Sequence, residues 1–434
     1  MPNLVYRITE VLSALVLSLP IGTNLGLFHI LWTLLSGRLL QSRGALIPAL
    51  AATGLVPTQV RRAWAAFADG AWSVTRLIAA LENLVQREGR WQACRCGGYR
   101  VVAVDTVGFF RPRLKGCATK HFLSQAGEAL PAIPFGLIAS VGAVGSQTVP
   151  VVRQIVRAPT ASASEAELVS AVLLQVAQQL APDEAAVVDR GFSLRKVQAA
   201  QVPRWVCRVP KNFTARRATP PTYSGKGRRP TRGVIVRPLA RKHKAKTLPA
   251  TPPDHTETFT YAGRTLRVER WENLCTVTAG TAPEIFQCLV VYDPVYKEPW
   301  VLVTNLVLSG GDARAFYHAR WPIEQVPLTA KQLIGAHRQF VSAEAPRQRL
   351  PELSLFAATL LIYLAATYPA QPTGFWDRAP RPTAGRLRRV IAQLDISKSA
   401  PLPQQLRKKA SVTDHLPKGI NAHRRTARPI AARV

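Results

Sequence analysis

Residues 317–331 read YHARWPIEQVPLTAK, placing a tyrosine, an arginine, a glutamate and a lysine at Tyr317, Arg320, Glu324 and Lys331. At about 100° per residue these four side chains leave a helix within about 60° of one another, on one chemical face. Taken alone, such a stripe reads as a solvated face laced with ion pairs. Two prolines interrupt it. Pro322 can begin a helical turn, whereas Pro327 removes a helix hydrogen bond and clashes with the carbonyl of Ile323, costing about 3 kcal/mol in a regular helix. Lys331 is therefore expected to depart from the direction its spacing implies.

Two more carboxylates stand in suggestive places. "YRVVAVD" and "AAVVD" are short apolar, β-branched runs that read as buried strands ending in Asp105 and Asp189. An aspartate there can be no more than a turn former. Yet a lone buried carboxylate gains nothing and two repel each other, so a cation is expected between them. With Glu324 they make three hard oxygen ligands. That set suits one or two Mg²⁺ ions, with Mn²⁺ accepted by the same atoms, and leaves positions for phosphate oxygens in phosphodiester chemistry.

The elements that must position these residues are legible in outline. "GALIPALAATGLVPTQVRRAWAAF", residues 44–67, predicts a helix, a turn at Thr53-Gly54 and a second helix opened by Pro57. In this helix-turn-helix pattern Thr58, Gln59, Arg61 and Arg62 would face a DNA groove while Val60, Trp64 and Phe67 pack inward. After "YRVVAVD" come the strands "IPFGLIASVGAVG" and "TVPVVRQIV", then a helix opened by a Ser164/Glu167 capping box, then "AAVVD". The order is strand, strand, strand, helix, strand. Residues 204–246 hold fourteen lysines and arginines and no acid, a basic loop or edge, and alternating runs between 255 and 306 predict β structure. A helical segment over 312–339 carries the stripe, and "LPELSLFAATLLIYLAATY" predicts another apolar helix. The expected organisation is a helical DNA-binding domain over 1–92, a strand-and-helix region from 93 on, and a basic tail over 371–434.

Composition narrows the partners. Lysine and arginine number 57 against 25 acidic residues, a net +32, in a chain whose 47% hydrophobic content agrees with a folded protein. So large an excess points to a polyanion. Because the basic residues sit mainly in Pro/Gly/Thr-rich stretches, nucleic acid fits better than a membrane surface. Residues 11–37 carry no formal charge, but Pro20, Gly22, Asn24, Gly26 and His29 favour two buried helices joined at "LPIGTNLG" over a membrane span. No signal-cleavage pattern follows, and the expected compartment is the cytoplasm, at the nucleoid. Six scattered cysteines fit reduced thiols. "CRCGG" with Cys117 and His121 could supply zinc ligands, although the usual knuckle spacing is absent, and buried thiols are the simpler reading.

Together, "VVAVDTVGFFRP", "AAVVDRGFS" and "YHARWPIEQVPLTAK" resemble the insertion-sequence transposases of the DDE class, in the branch whose Tyr-Arg-Glu-Lys signature has gaps of two, three and six residues. The resemblance runs from about residue 99 to 368. It implies an α/β fold: a ribonuclease-H-like mixed sheet with flanking helices, its catalytic core over 93–205 and 299–370 split by a basic and β-rich insertion over 206–298, for which the offset of 135 from Asp189 to Glu324 leaves room, and a tail over 371–434 available for dimerisation or DNA contact. It implies that Asp105, Asp189 and Glu324 are the catalytic, metal-binding triad and that Tyr317, Arg320 and Lys331 contact DNA phosphates. It further implies that Trp300 stacks on a flipped base, that Arg190 touches the DNA backbone, and that a homodimer synapses two element ends on double-stranded DNA. Trp321 and Ile323 are expected to pack and so aim the stripe. A non-catalytic DNA-binding relative and a structure-specific nuclease on the same core are the alternatives.

Overall fold

The computed structural model describes residues 2–394 except 116, 124, 161–162, 226, 244–245, 279–283, 371 and 373, together with Leu406. The expected tail thus lies mostly outside the described residues.

The N-terminal segment is helical: α1 (Pro2–Val16), α2 (Asn24–Leu35), α3 (Leu46–Ala51), α4 (Pro57–Asp69) and α5 (Val74–Glu88). The uncharged stretch 11–37 is two buried helices broken at Pro20, as its glycine and proline predict. In α4, Val60 and Phe67 are buried, Trp64 is half-buried, and Thr58, Arg61 and Arg62 face solvent.

A large mixed sheet follows. Its first strands are β1 (Tyr99–Phe110), β2 (Glu128–Val144) and β3 (Gln147–Arg157); helix α6 (Glu165–Gln179) leads to β4 (Glu184–Val188) and β5 (Trp205–Val209). Ser164 caps α6 with Glu167 in the expected reciprocal box. These five strands lie side by side in the order β3, β2, β1, β4, β5; β2 runs antiparallel to both β3 and β1, and β4 runs parallel to both β1 and β5. One correction concerns β1. It does not end at Asp105 but continues to Phe110, because "TVGFF" pairs with β2 as far as Phe110 opposite Ala132. Asp105 therefore sits in mid-strand.

The sheet goes on past β5. Strands β6 (Arg264–Thr276), β7 (Phe286–Tyr292) and β8 (Trp300–Thr304) are antiparallel neighbours, and β8 pairs β5. Most strands of the β-rich segment 206–298 thus extend the same sheet laterally, while Arg241–His243 and Lys246–Leu248 pair as a separate two-stranded sheet. Helix α7 (Gly310–Arg320) then packs across the sheet against β1, β4 and β5, and α8 (Glu344–Thr367) lies against β3 and the N-terminal helices. Helix α8 alone among the described residues is long and apolar enough to cross a membrane by length and composition, and 89% of its most apolar window is buried. It closes one hydrophobic core shared by α1–α5 and one face of the sheet; α6 covers a second core on the opposite face.

Candidate active site: three carboxylates around one arginine

Parallel pairing of β1 with β4 places Val104 opposite Val188. One residue further on, Asp105 and Asp189 leave neighbouring strands side by side, an adjacency that needs no long-range coincidence beyond the register itself. Glu324 reaches the same place from the segment after α7.

Helix α7 is held rigidly. Ser309 caps it by accepting from Asp312 N, and Asp312 Oδ1 accepts from Gly97 N on the hairpin before β1. Buried Arg314 donates from Nε and Nη2 to Asp293 Oδ2 at 3.1 and 2.9 Å, and Arg264 donates to the same carboxylate. Gly310 lies so close to β6 that a Cβ there would come within 2.8 Å of Val268.

After Arg320 the backbone stays helical but changes its winding. Trp321–Glu324 is a 3₁₀ turn, Gln325–Leu328 an α turn and Thr329–Ile334 a π turn, ended by Gly335 at φ +99°. Pro322 stands in the first of these and Pro327 in the second. The regular helix in which Pro327 would clash is not formed; loosening into a π turn accommodates it. Lys331 Nζ lies 5.5 Å from the Phe109 ring centre and 5.7 Å from that of Phe110, on the strand that carries Asp105. Burial lowers the Lys331 pKa, and the nearby Asp105 carboxylate raises it.

Between the aspartates lies the Arg320 guanidinium. Its residue is 3% exposed. Nη2 donates to Glu324 Oε1 at 2.6 Å, while Nη1 is 3.8 Å from Asp105 Oδ2 and Nη2 is 3.9 Å from Asp189 Oδ2. Tyr317, 2% exposed, donates from its hydroxyl to Asp189 Oδ1 at 3.0 Å and accepts from Arg208 Nη1 at 3.0 Å. Arg208 Nη1 is also 3.9 Å from Asp189 Oδ1. Burial pushes the Asp105 carboxyl up to about 6; Arg320 and the Thr106 amide pull it back, and Glu324 and Asp189 add to the rise.

The structure thus brings together Asp105, Asp189, Glu324, Tyr317, Arg320 and Lys331. It does not expose all of them. Tyr317 and Arg320, expected on DNA phosphates, here spend their polar atoms on the carboxylates. Trp300, expected on a flipped base, is 5% exposed, with its ring centre 4.9 Å from Tyr317 and 4.6 Å from Tyr296. Its location at the head of an interior strand accounts for that burial, and it braces Tyr317. Ile323 packs as expected, but Trp321 is 51% exposed because the 3₁₀ winding turns it outward. Arg190, directly after Asp189, is exposed; Arg61 and Arg62 are exposed on α4, outside the cluster. Sequence reasoning missed Arg208. Its signal was available, since it lies on the strand after Asp189 and is the second cation of the basic run 204–246, but nothing local marks it among fourteen cations.

The donor set fits a divalent cation in kind: three carboxylates, with a guanidinium between them standing where positive charge is wanted. As placed around Arg320, no three His, Cys, Asp or Glu side chains among the described residues are grouped closely enough to share one ion. That applies equally to Cys94, Cys96, Cys117 and His121, whose cysteines are free thiols. Comparison with known proteins gives no family model and no curated protein that matches the chain.

Proposed function

We propose that the chain is a metal-dependent DNA transposase that binds the terminal inverted repeats of its element, cleaves the phosphodiester at the ends and transfers the strand to target DNA. The observation that carries this reading is the convergence of Asp105, Asp189 and Glu324, from two register-matched strands and a distant helical segment, on one polar cluster. The strand order β3, β2, β1, β4, β5 with α6 between β3 and β4 supports a ribonuclease-H-like core. The helical hairpin α3–α4, with Arg61 and Arg62 outward, supports an N-terminal DNA-binding domain. The net +32 charge supports a nucleic-acid partner; a cytoplasmic, nucleoid-associated homodimer belongs to the same proposal.

In this reading Asp105, Asp189 and Glu324 hold Mg²⁺, with Mn²⁺ as substitute. Ions bound there supply activation of the attacking hydroxyl and stabilisation of the leaving oxygen. The chain's own groups do the remaining work. Tyr317 and Arg208 orient the Asp189 carboxylate, Trp300 keeps Tyr317 in place, and Lys331, beside the strand of Asp105, and exposed Arg190, next to Asp189 in the chain, offer positive charge to phosphate.

A second reading, a transposase-derived protein that binds DNA without cutting it, is favoured by one observation: the Arg320 guanidinium lies among the three carboxylates, in the place a metal ion would take. Incubating the protein with labelled duplexes carrying the DNA that flanks its own gene, with Mg²⁺ or EDTA and beside Glu324→Ala, separates the two. Cleavage at a single phosphodiester, dependent on Mg²⁺ and lost in the variant, is expected for the transposase. Tight binding with no cleavage in Mg²⁺ or Mn²⁺ would establish the binding protein.

A further inference from the structure

Arg320 is poorly satisfied for a buried guanidinium. Its Nη2 makes one hydrogen bond of ordinary length, to Glu324, while Asp105 and Asp189 stand just outside hydrogen-bond reach. Its Nε is buried with no partner among the described residues. Leaving a buried donor unpaired is costly, so the side chain is held chiefly by the charge of three carboxylates rather than by a closed hydrogen-bond network. The group cannot leave by losing its proton, because a guanidinium stays charged at any ordinary pH. It can leave only by exchanging these carboxylates for another anion. A phosphodiester offers the better partner, since it presents paired oxygens to the planar fork. Once the guanidinium departs, the three carboxylates keep Tyr317 and Arg208 at Asp189 and the Lys331 charge near Asp105 but lose the one cation that lies among all three, and a divalent ion becomes the group that best relieves their repulsion.

We propose that Arg320 is a resident cation that closes the carboxylate cluster to divalent metal until DNA draws its guanidinium onto phosphate, so that the metal site opens only on the DNA. This rests on the reading of Asp105, Asp189 and Glu324 as a metal site. The device couples two ligands through one side chain, and the coupling is reciprocal: DNA tightens metal binding by the factor by which metal tightens DNA binding. It also keeps a metal-loaded nuclease centre from assembling away from its substrate.

The test measures Mn²⁺ binding to the full chain by electron paramagnetic resonance, with and without a saturating duplex, for wild type, Arg320→Gln and Asp189→Asn. Wild type without DNA is expected to bind Mn²⁺ weakly, and the duplex to tighten a site that Asp189→Asn removes by about tenfold or more. Arg320→Gln is expected to bind Mn²⁺ without DNA at least about tenfold more tightly than wild type, and to lose most of the response to the duplex. Equal Mn²⁺ affinity of wild type and Arg320→Gln, at a site that Asp189→Asn removes, would leave the metal site standing and overturn the gate. Absence of any Asp189-dependent Mn²⁺ binding, on DNA or off it, would overturn the metal reading and the gate with it. Should Arg320→Gln fail to fold, Arg320→Lys keeps a cation for the fold but has no fork with which to span three carboxylates. Tighter Mn²⁺ binding than wild type is expected of it, and an unchanged affinity counts against the gate.

Discussion

Asp105 shows how one side chain records its surroundings. Burial raises its carboxyl to about 6, above the ordinary aspartate value, so the folded protein binds that proton more tightly than the unfolded chain does. The sign follows directly. Ionised Asp105 burdens the fold at pH values above 6; the burden shrinks as pH falls through 6 and is gone below the unfolded value near 4. In metal-free buffer, Asp105→Asn is therefore expected to gain stability relative to wild type on going from pH 4 to pH 8, by up to about 3 kcal/mol, read from denaturant melts at each pH. A gap that does not change with pH would show that the Arg320 attraction cancels the burial. Tyr317 makes a different prediction, because its hydroxyl is the link between Arg208 and Asp189. Tyr317→Phe keeps the packing against Trp300 and removes that link. The expected loss is about 1.5–3 kcal/mol of transition-state stabilisation, seen as a fall in cleavage rate with duplex affinity nearly unchanged.

Among the elements, α7 and the turns that follow it decide whether there is a site at all. The helix is fastened to the sheet by the buried Arg314–Asp293 pair, which Arg264 joins from β6. Breaking one partner of such a pair leaves an uncompensated buried charge. Arg314→Met is expected to cost about 3–5 kcal/mol of stability by thermal or denaturant unfolding, and cleavage should fall with it, although Arg314 touches none of the carboxylates. Removing both charges, as in Arg314→Met with Asp293→Asn, is expected to recover part of the loss; no recovery would mean that the arginine acts through packing alone. Pro327 belongs to this scale too. Read on a regular helix it is a defect, but the succession of 3₁₀, α and π turns leaves no regular helix for it to break, and Lys331 still reaches the strand of Asp105.

At the scale of the molecule, the sheet is continuous through the β-rich insertion, and the N-terminal helices share a core with it through α8. The helix that carries Arg61 and Arg62 and the strands that carry the carboxylate cluster are thus parts of one packed body. The net +32 charge predicts binding that weakens steeply with salt. Replacing Arg61 and Arg62 together by alanine is expected to lower affinity for the element ends and to reduce the slope of log K against log salt by about 2, measured by anisotropy titrations over a range of salt. An unchanged slope would remove α4 from the DNA interface.

Local pattern was enough for much of this. Alternating and β-branched runs marked the strands, the Ser164/Glu167 box marked the start of α6, and Pro20 and Gly22 divided a membrane-like stretch into two helices, because each of these rests on interactions within a few residues. Charge algebra went one step further: two aspartates on neighbouring strands needed a cation, whatever the fold. Which cation was a tertiary matter. Only the β1–β4 register and the packing of α7 put Arg320, rather than Lys331 or Arg208, among the carboxylates; only the strand order buried Trp300, and only the 3₁₀ winding after α7 left Trp321 outside. Side-chain type and spacing determine which groups can do chemistry; their direction depends on windings and registers set by contacts hundreds of residues apart.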